Sequence, residues 1–153
     1  DRDLVLVPTE PADVVAALKP LRRIGYDRVT GYLGGGMHAW ETTGRELDAV
    51  GVLTARQLQD ALADVEPPVV LDVRKPEEFE AGHLPGAVHV FLGHLPDRLD
   101  AVPEGRPVVT FCGSGRRASI AASILKRNGY PWVANNLGSV QACRAVGCEL
   151  VEG

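Results

Sequence analysis

The sequence contains few cysteines, few methionines and few aromatic residues. Its 153 residues include three cysteines, one methionine and 5% aromatic residues. The cysteine number is odd and no two cysteines have C-x-x-C spacing, so the sequence indicates neither a disulfide framework nor a zinc site. We therefore expect a reduced, cytoplasmic environment and no bound metal.

Charge of one sign and long apolar runs are also scarce. The formal net charge of −4 argues against general nucleic-acid binding. No apolar run approaches the ~20 residues that span a membrane, and no charged-then-apolar leader opens the chain. With 45% hydrophobic and 24% charged residues, the chain can form one α/β domain plus a smaller segment. It opens on Asp1, which we do not expect to be a native start.

The most informative segment lies between an apolar run, Val108 to Phe111, and a helix-like stretch. It reads Cys112-Gly113-Ser114-Gly115-Arg116-Arg117. Glycines allow a backbone in which successive N–H groups turn toward one bound atom, and the following helix directs its positive end at the same loop. A thiol at this place ionises readily, because helix N-termini and neighbouring cations favour the thiolate. The segment therefore predicts a nucleophilic cysteine in an anion-binding loop.

The alternative for Cys112 is an inert cysteine at a strand end, since free cysteine is among the most buried residue types. The flanking residues argue against that alternative. A structural cysteine needs no arginine pair, and two glycines beside a core position would only weaken its packing.

Three segments resemble the rhodanese-type sulfurtransferases and follow one another in the order expected for that family. The cysteine loop resembles the family's C-x-S-G-x-R active loop. It is preceded by Leu71-Asp72-Val73-Arg74 with Glu77-Glu78-Phe79, and by Gly82-His83-Leu84-Pro85-Gly86-Ala87. The resemblance runs from about Thr54 to the end. It implies a rhodanese-like three-layer α/β sandwich with a central, mainly parallel sheet, and a cysteine that carries sulfur as a persulfide.

The resemblance also implies roles for the loop residues. Cys112 would carry the sulfur, and the N–H groups of Gly113 to Arg117 would stabilise the terminal sulfur anion. Arg117 would anchor either the loop or its anionic donor, and Arg116 would face the entrance and select charged substrates. Ser114 would donate to bound sulfur or shape the turn. The implied partners are a small-molecule sulfur donor and a thiol acceptor, and no cofactor is required.

Asp72 and Arg74 occupy the family's Asp-x-Arg positions. We interpret them as a salt bridge that supports the cysteine loop, with substrate contact as the alternative. His83 is interpreted as structural, because a thiolate favoured by its loop needs no base. Cys143 stands where the family usually has tryptophan and is interpreted as a small core residue rather than a resolving thiol. The role of Cys148 stays undecided.

The beginning of the chain repeats its end. Residues 23–29 parallel residues 127–133, and Leu33-Gly34-Gly35 then parallels Leu137-Gly138-Ser139. After one deleted residue, residues 44–47 parallel residues 147–150. Such agreement indicates a duplicated unit, of which the first copy retains only the second half. Pro8 takes the position of Cys112 in that copy, and Glu10 and Asp13 take those of Ser114 and Arg117, so it lacks a nucleophile.

Alternating strands and helices predict a mainly parallel sheet covered on both faces. We divide the chain into a degenerate partial rhodanese unit over residues 1–47, a linker over 48–53 and a complete rhodanese domain over 54–153. Thr54 and Gln57 form a capping box at the start of a helix. The cysteine loop follows a strand at its carboxyl end, where ligands collect in open α/β sheets.

The stretch from Ile24 to Trp40 also resembles the tail of rhodanese units fused behind metallo-β-lactamase-fold enzymes. Those enzymes include persulfide dioxygenases and hydroxyacylglutathione-hydrolase-like proteins. The resemblance implies an upstream metal-dependent domain, because these 153 residues contain no His-x-His-x-Asp-His cluster. The half unit would pack on the complete domain, or pair with a second chain in a homodimer, since an unpartnered sheet edge is a liability.

The predicted function is the transfer of sulfane sulfur from thiosulfate or glutathione persulfide to a thiol or cyanide. A phosphatase is one alternative, because phosphatases of the same fold bind phosphate with C-x5-R. Arg117 gives C-x4-R instead, and a loop one residue shorter fits a sulfur atom but cramps a phosphate. The other alternative is a non-catalytic binding or regulatory module of a larger enzyme.

Overall fold

The computed structural model describes residues 3–153 and divides the chain into two units, Asp1–Asp48 and Ala49–Gly153. The first unit is small and alternates strands with helices. Its two strands pair in parallel. Its elements are β1 (Leu4–Leu6), α1 (Pro11–Arg23), β2 (Val29–Tyr32) and α2 (Gly36–Thr42).

The second unit is built around a five-stranded sheet. Its strand order is β3-β7-β6-β4-β5, and every neighbouring pair is parallel. No helix within residues 3–153 is long and apolar enough to cross a membrane. The elements are β3 (Gly51–Leu53), α3 (Ala55–Leu62), β4 (Val69–Asp72), α4 (Pro76–Glu80), β5 (Val88–His89), β6 (Val108–Phe111), α5 (Arg116–Arg127), β7 (Val133–Asn136) and α6 (Ser139–Val146).

Both faces of this sheet are covered, because successive side chains of a strand point to opposite faces. Leu71 of β4 packs in one core layer together with Leu125 of α5. Its neighbour Val70 packs in the other layer, with Leu58 of α3 and Val140 of α6. The predicted three-layer α/β sandwich with a parallel central sheet is confirmed.

One local assignment differs from the structure. Residues 51–53, assigned to the linker, form β3, which pairs with β7 at the sheet edge. Valine and leucine beside a single glycine carry too little periodicity to distinguish a three-residue edge strand from a loop. Two 3-10 turns, Leu95–Asp97 and Leu99–Ala101, follow β5.

The repeat contains its extra residue at a different place from the one expected. Leu33 and Leu137 directly follow β2 and β7. Gly35 and Gly138 then precede α2 and α6 with φ of 75° and 72°. A Cβ on either would clash with an alanine Cβ four residues on, at 2.8 and 2.7 Å respectively. The inserted residue is therefore Gly34, and the counterpart of Ser139 is Gly36 rather than Gly35.

Candidate active site

Cys112 directly follows β6 at the carboxyl end of the sheet, and it is 1% exposed. The Gly115 N–H donates a hydrogen bond to its Sγ at 3.1 Å. Gly115 has a φ of 94°, and a Cβ there would lie 3.3 Å from the Asn136 carbonyl oxygen. Glycine adopts this left-handed backbone without a steric cost. The turn that it permits directs an N–H at the sulfur.

The other predicted loop residues surround this turn at different depths. Gly113 does not adopt a left-handed φ, and a Cβ there would only touch Arg117 Nη2 at 3.4 Å. The conformational argument made for both glycines therefore holds for Gly115 alone. Ser114 and Arg116 are exposed. The Arg116 guanidinium makes no ion pair with any side chain among residues 3–153.

Opposing effects act on the Cys112 thiol. Burial raises its pKa, while hydrogen bonds from the N–H groups of Ala118, Ser114 and Gly115 and from the Ser139 hydroxyl lower it. The hydrogen bonds prevail, and the pKa of Cys112 lies below its ordinary value. Donors that bind the charged form of an acid favour ionisation. Ala118 belongs to the first turn of α5, so the donors extend beyond the predicted 113–117 segment.

Arg117 forms a two-pronged ion pair with Glu78 of α4. Its Nη1 donates to Glu78 Oε2 at 2.6 Å and its Nη2 to Oε1 at 2.7 Å. Between the two roles left open for Arg117, the structure shows the contact that anchors the loop. Glu78 lies in the Glu77-Glu78-Phe79 segment, to which the family resemblance assigns no role. Because Glu78 and Arg117 are 39 residues apart in the sequence, no local sequence pattern predicts this ion pair.

Asp72 and Arg74 form a second, fully buried ion pair. Arg74 Nη2 lies 2.6 Å from Asp72 Oδ2 and also donates to the Gly82 carbonyl oxygen at 2.8 Å. Asp72 is 0% exposed and Arg74 is 4% exposed, which leaves no surface for a substrate. Since residues 74 and 82 flank α4, the pair fixes the ends of the segment that carries Glu78. Its support of the cysteine loop is indirect, through Glu78 and Arg117.

Ser139 is a further site residue, which lies outside the three segments that resemble the family. Its hydroxyl accepts a hydrogen bond from the Cys112 N–H at 3.0 Å. Its single proton is shared between the Asn136 carbonyl oxygen at 2.9 Å and, more weakly, Cys112 Sγ at 4.0 Å. It is fully buried, and its φ of 43° is the one positive φ among the non-glycine residues in 3–153. A strained backbone of this kind persists only where the surroundings hold it. Ser139 therefore connects the cysteine loop to the start of α6.

The first unit gives an internal comparison for this contact. Gly36 stands in place of Ser139 there, and a Cβ on it would lie 2.6 Å from the Pro8 carbonyl oxygen. Pro8 stands in place of Cys112. The two positions thus adjoin in both units, but proline has no N–H to donate and glycine has no hydroxyl to accept it. The serine is present in the unit that retains the cysteine.

We expect Ser139→Ala to raise the pKa of Cys112 and to slow its alkylation at pH 7 several-fold. The substitution removes the hydroxyl hydrogen bond that lowers the pKa of the thiol, across an Oγ–Sγ distance of 4.0 Å. It also leaves the buried Cys112 N–H without its acceptor, which costs about 1–3 kcal/mol of stability. Iodoacetamide rates measured from pH 5 to 10, on the peptide that contains Cys112, report the pKa. Ser123→Ala is the matched control, because Ser123 lies on exposed α5 surface and bonds only within the helix. An unchanged pH profile for Ser139→Ala would contradict this role.

The ion pair with Arg117 makes the contribution of Glu78 to stability depend on pH. The hydrogen bond from Arg117 lowers the pKa of Glu78 from 4.5 to about 2. A depressed folded-state pKa stabilises the fold above the unfolded value, and the effect disappears as pH falls through the folded value. We therefore expect Glu78→Gln to lower the melting temperature at pH 7. The difference from wild type should shrink between pH 4.5 and about 2. Glu77→Gln in the same helix is the control, and an equal pH-dependent loss there would contradict the assignment.

The remaining predicted residues lie outside the immediate site. His83 Nδ1 is 3.1 Å from the Phe79 carbonyl oxygen, and its ring stacks on Phe79 with centroids 3.8 Å apart. These contacts agree with its structural interpretation. Cys143 is buried and Cys148 is half-buried. Within residues 3–153 there is no group of three or more His, Cys, Asp or Glu side chains that could hold a metal ion.

Known proteins resemble the second unit. Residues 54–145 match the family described as Rhodanese-like domain. A sulfurtransferase of Allochromatium vinosum is 32% identical over 102 residues, which cover 67% of this chain and 95% of that protein. The thiosulfate sulfurtransferase PspE of Escherichia coli is 36% identical over 67 residues, covering 42% of this chain and 64% of that protein. The putative sulfur carrier protein YrkF of Bacillus subtilis is 41% identical over 66 residues, and the match covers 43% of this chain but only 36% of that longer protein.

A solved structure agrees with the sequence matches. The crystal structure of a rhodanese-like domain protein from Staphylococcus aureus superposes with a TM-score of 0.62 at 26% identity. The superposition covers 68% of this chain and 99% of that one. The whole of that protein therefore corresponds to a part of this chain only.

Proposed function

Because the chain belongs to the rhodanese-like domain family, we propose that it is a sulfurtransferase that carries sulfane sulfur as a persulfide on Cys112. One observation carries the proposal: the buried Cys112 sulfur accepts the Gly115 N–H at 3.1 Å at the entry to α5. The names of the sulfurtransferase relatives support the same class of reaction.

The first step with thiosulfate is a nucleophilic displacement. The Cys112 thiolate attacks the outer sulfur, a new S–S bond forms to Cys112, and the bond from that sulfur to the sulfonate breaks with release of sulfite. With glutathione persulfide the leaving group is the glutathione thiolate. In the second step, an acceptor thiolate or cyanide attacks the terminal sulfur and the Cys112 thiolate leaves. Neither step involves a net oxidation or reduction, so no external oxidant or reductant is needed.

The loop is suited to hold charge on either sulfur. N–H groups of Ser114, Gly115 and Ala118 already favour the thiolate form of Cys112. A terminal sulfur one bond further out would meet the mouth of the same N–H ring, as developing charge meets an oxyanion hole. Because Glu78 occupies the Arg117 guanidinium, the exposed Arg116 is the cation we assign to attract an anionic donor such as thiosulfate.

A test of the reaction is the release of sulfite in a single turnover. With excess thiosulfate and no acceptor, we expect about one sulfite per Cys112, because the persulfide cannot discharge. Addition of cyanide or a thiol should then restore continuous release. A chain that acts only as a binding module would release no sulfite under either condition. The same experiment with glutathione persulfide, scored by release of glutathione, indicates which donor the site prefers.

The assembly of the full-length protein is a separate proposal. The degenerate first unit suits a chain that is joined to an upstream metal-dependent domain, or one that pairs with a second copy. Sequencing and intact mass of the native product test the first arrangement. Light scattering of the chain over a wide concentration range tests the second, and a strict monomer at the highest concentration would exclude a homodimer.

A further inference from the structure

The last turn of α6 brings two cysteine side chains together. The helix ends at Gly147, which has a φ of 80°. The Cys148 N–H donates to the Cys143 carbonyl oxygen at 2.9 Å, and the Gly147 N–H donates to the Arg144 carbonyl at 3.4 Å. This pair of bonds is the Schellman motif, in which the side chains at the positions of Cys143 and Cys148 contact one another across the helix end.

The equivalent positions of the first unit confirm that this turn creates a side-chain contact. There α2 is followed by Gly44 with a φ of 71°. The residues that correspond to Cys143 and Cys148 are Trp40 and Arg45, and the Arg45 guanidinium carbon lies 4.6 Å from the Trp40 ring centroid. The fold thus places these two positions in contact in both units. In the second unit both positions are cysteine.

The two thiols differ in access. Cys143 is fully buried in the core layer beneath α6, whereas Cys148 packs on the same layer and is half-buried. Burial and a hydrogen bond with Cys148 raise the pKa of the Cys143 thiol to about 12. Cys143 is therefore a protonated thiol held against the sulfur of its neighbour. Cys148 is the one that a dissolved reagent meets first.

The backbone geometry permits a covalent bond between them. A disulfide needs Cα atoms within about 7 Å of one another. The direct hydrogen bond of 2.9 Å between the two backbones keeps the Cα atoms within that distance, because only the short covalent links on either side add to it. We propose that Cys143 and Cys148 are a redox modification site, which forms a reversible disulfide on exposure to a peroxide.

The reaction balances with the peroxide as the oxidant. The Cys148 thiolate attacks one peroxide oxygen, the O–O bond breaks, and the other oxygen leaves as hydroxide or alkoxide. This leaving group takes up the proton that the Cys148 thiol released and becomes water or an alcohol. The resulting sulfenic acid is then attacked by the Cys143 sulfur. The S–S bond forms as the S–O bond breaks, and the Cys143 proton leaves with the oxygen as water. A thiol reductant reverses the product by exchange.

The test uses hydrogen peroxide and a background that removes the catalytic thiol. In Cys112→Ser, we expect mild peroxide to lower the intact mass by about 2 Da and to protect both remaining cysteines from a maleimide after denaturation. Reductant should restore two labels. Trypsin cleaves after Arg144, between the two cysteines, so the disulfide joins the peptides 128–144 and 145–153. That linked pair should be found in oxidised wild type as well, which covers the case in which Cys112→Ser folds poorly.

A matched control moves one cysteine by a single residue. Cys148→Ser combined with Glu149→Cys keeps the number of thiols but takes the second one out of the Schellman contact. In the Cys112→Ser background, this variant should keep both labels and yield no linked peptides at the same peroxide dose. The proposal is overturned if wild type also gives no linked peptides, or gives only oxygen adducts of about 16 Da steps, or if the moved cysteine cross-links equally well.

Discussion

Cys112→Ser is expected to abolish sulfur transfer. A serine hydroxyl is not ionised near neutral pH and cannot carry sulfur as a persulfide, so we expect turnover of thiosulfate and cyanide to fall by at least about 1,000-fold. The loop itself should survive, because serine has nearly the shape of cysteine and can accept the Gly115 N–H that now reaches Sγ. Initial rates of thiocyanate formation measure the effect.

The control for this substitution is Cys148→Ser, because Cys148 is more accessible than Cys143. Cys148 lies at the end of α6, away from the β6–α5 loop. Its replacement should therefore leave turnover unchanged. Activity retained in Cys112→Ser and lost in Cys148→Ser would reverse the assignment of the carrier. Equal activity in both would mean that neither thiol carries sulfur.

Asp72→Asn is expected to be the most destabilising of the substitutions considered. It leaves the Arg74 guanidinium charged and 4% exposed without its carboxylate. Removal of one partner from a buried ion pair costs about 3–5 kcal/mol. Urea unfolding at pH 7 measures the loss. Turnover, corrected for the folded fraction, should fall as well, because Arg74 holds the segment that presents Glu78 to Arg117.

An exposed pair in the same unit supplies the comparison. Arg98 and Asp100 lie 4.0 Å apart, and their side chains are 61% and 81% exposed. Exposed pairs contribute about 0–1 kcal/mol, so Asp100→Asn should change stability little. If Asp72→Asn were as mild as Asp100→Asn, the buried pair would not be the support of α4 that its contacts indicate.

The parts of the fold that depend on local pattern were predictable from the sequence. Strand β6 spans the apolar run from Val108 to Phe111, and helix α5 follows the cysteine loop, both as the sequence predicts. Both combine a strong apolar pattern with clear stop signals. Strand β3 was not predictable, because three residues at a sheet edge owe their conformation to pairing with β7 rather than to their own propensity.

The same distinction explains what was missed at the site. The cysteine, Gly115 and the arginines form one continuous segment, whose chemistry can be inferred without a structure. Glu78 and Ser139 reach the loop from other elements, and only the folding of the sheet brings them to Arg117 and Cys112. One signal for Ser139 existed in the repeat, because a serine replaces a glycine there.

The contact between Cys143 and Cys148 was also missed, although Trp40 and Arg45 make the same contact in the first unit. Cys143 was interpreted alone, as a substitute for a core tryptophan. The Schellman turn couples it to residue 148, a relation that depends on the left-handed conformation of Gly147. Sequence spacing by itself does not distinguish such a contact from two cysteines on unrelated surfaces.

The measurement that tests the central claim most directly is the intact mass of the protein after incubation with thiosulfate, and separately with glutathione persulfide. A Cys112 persulfide predicts a gain of about 32 Da that maps to the Cys112 peptide. Cyanide or a thiol should remove it, and Cys112→Ser should never acquire it. If the folded wild-type protein gains no sulfur from either donor, Cys112 is not a sulfur carrier and the chain is a binding module.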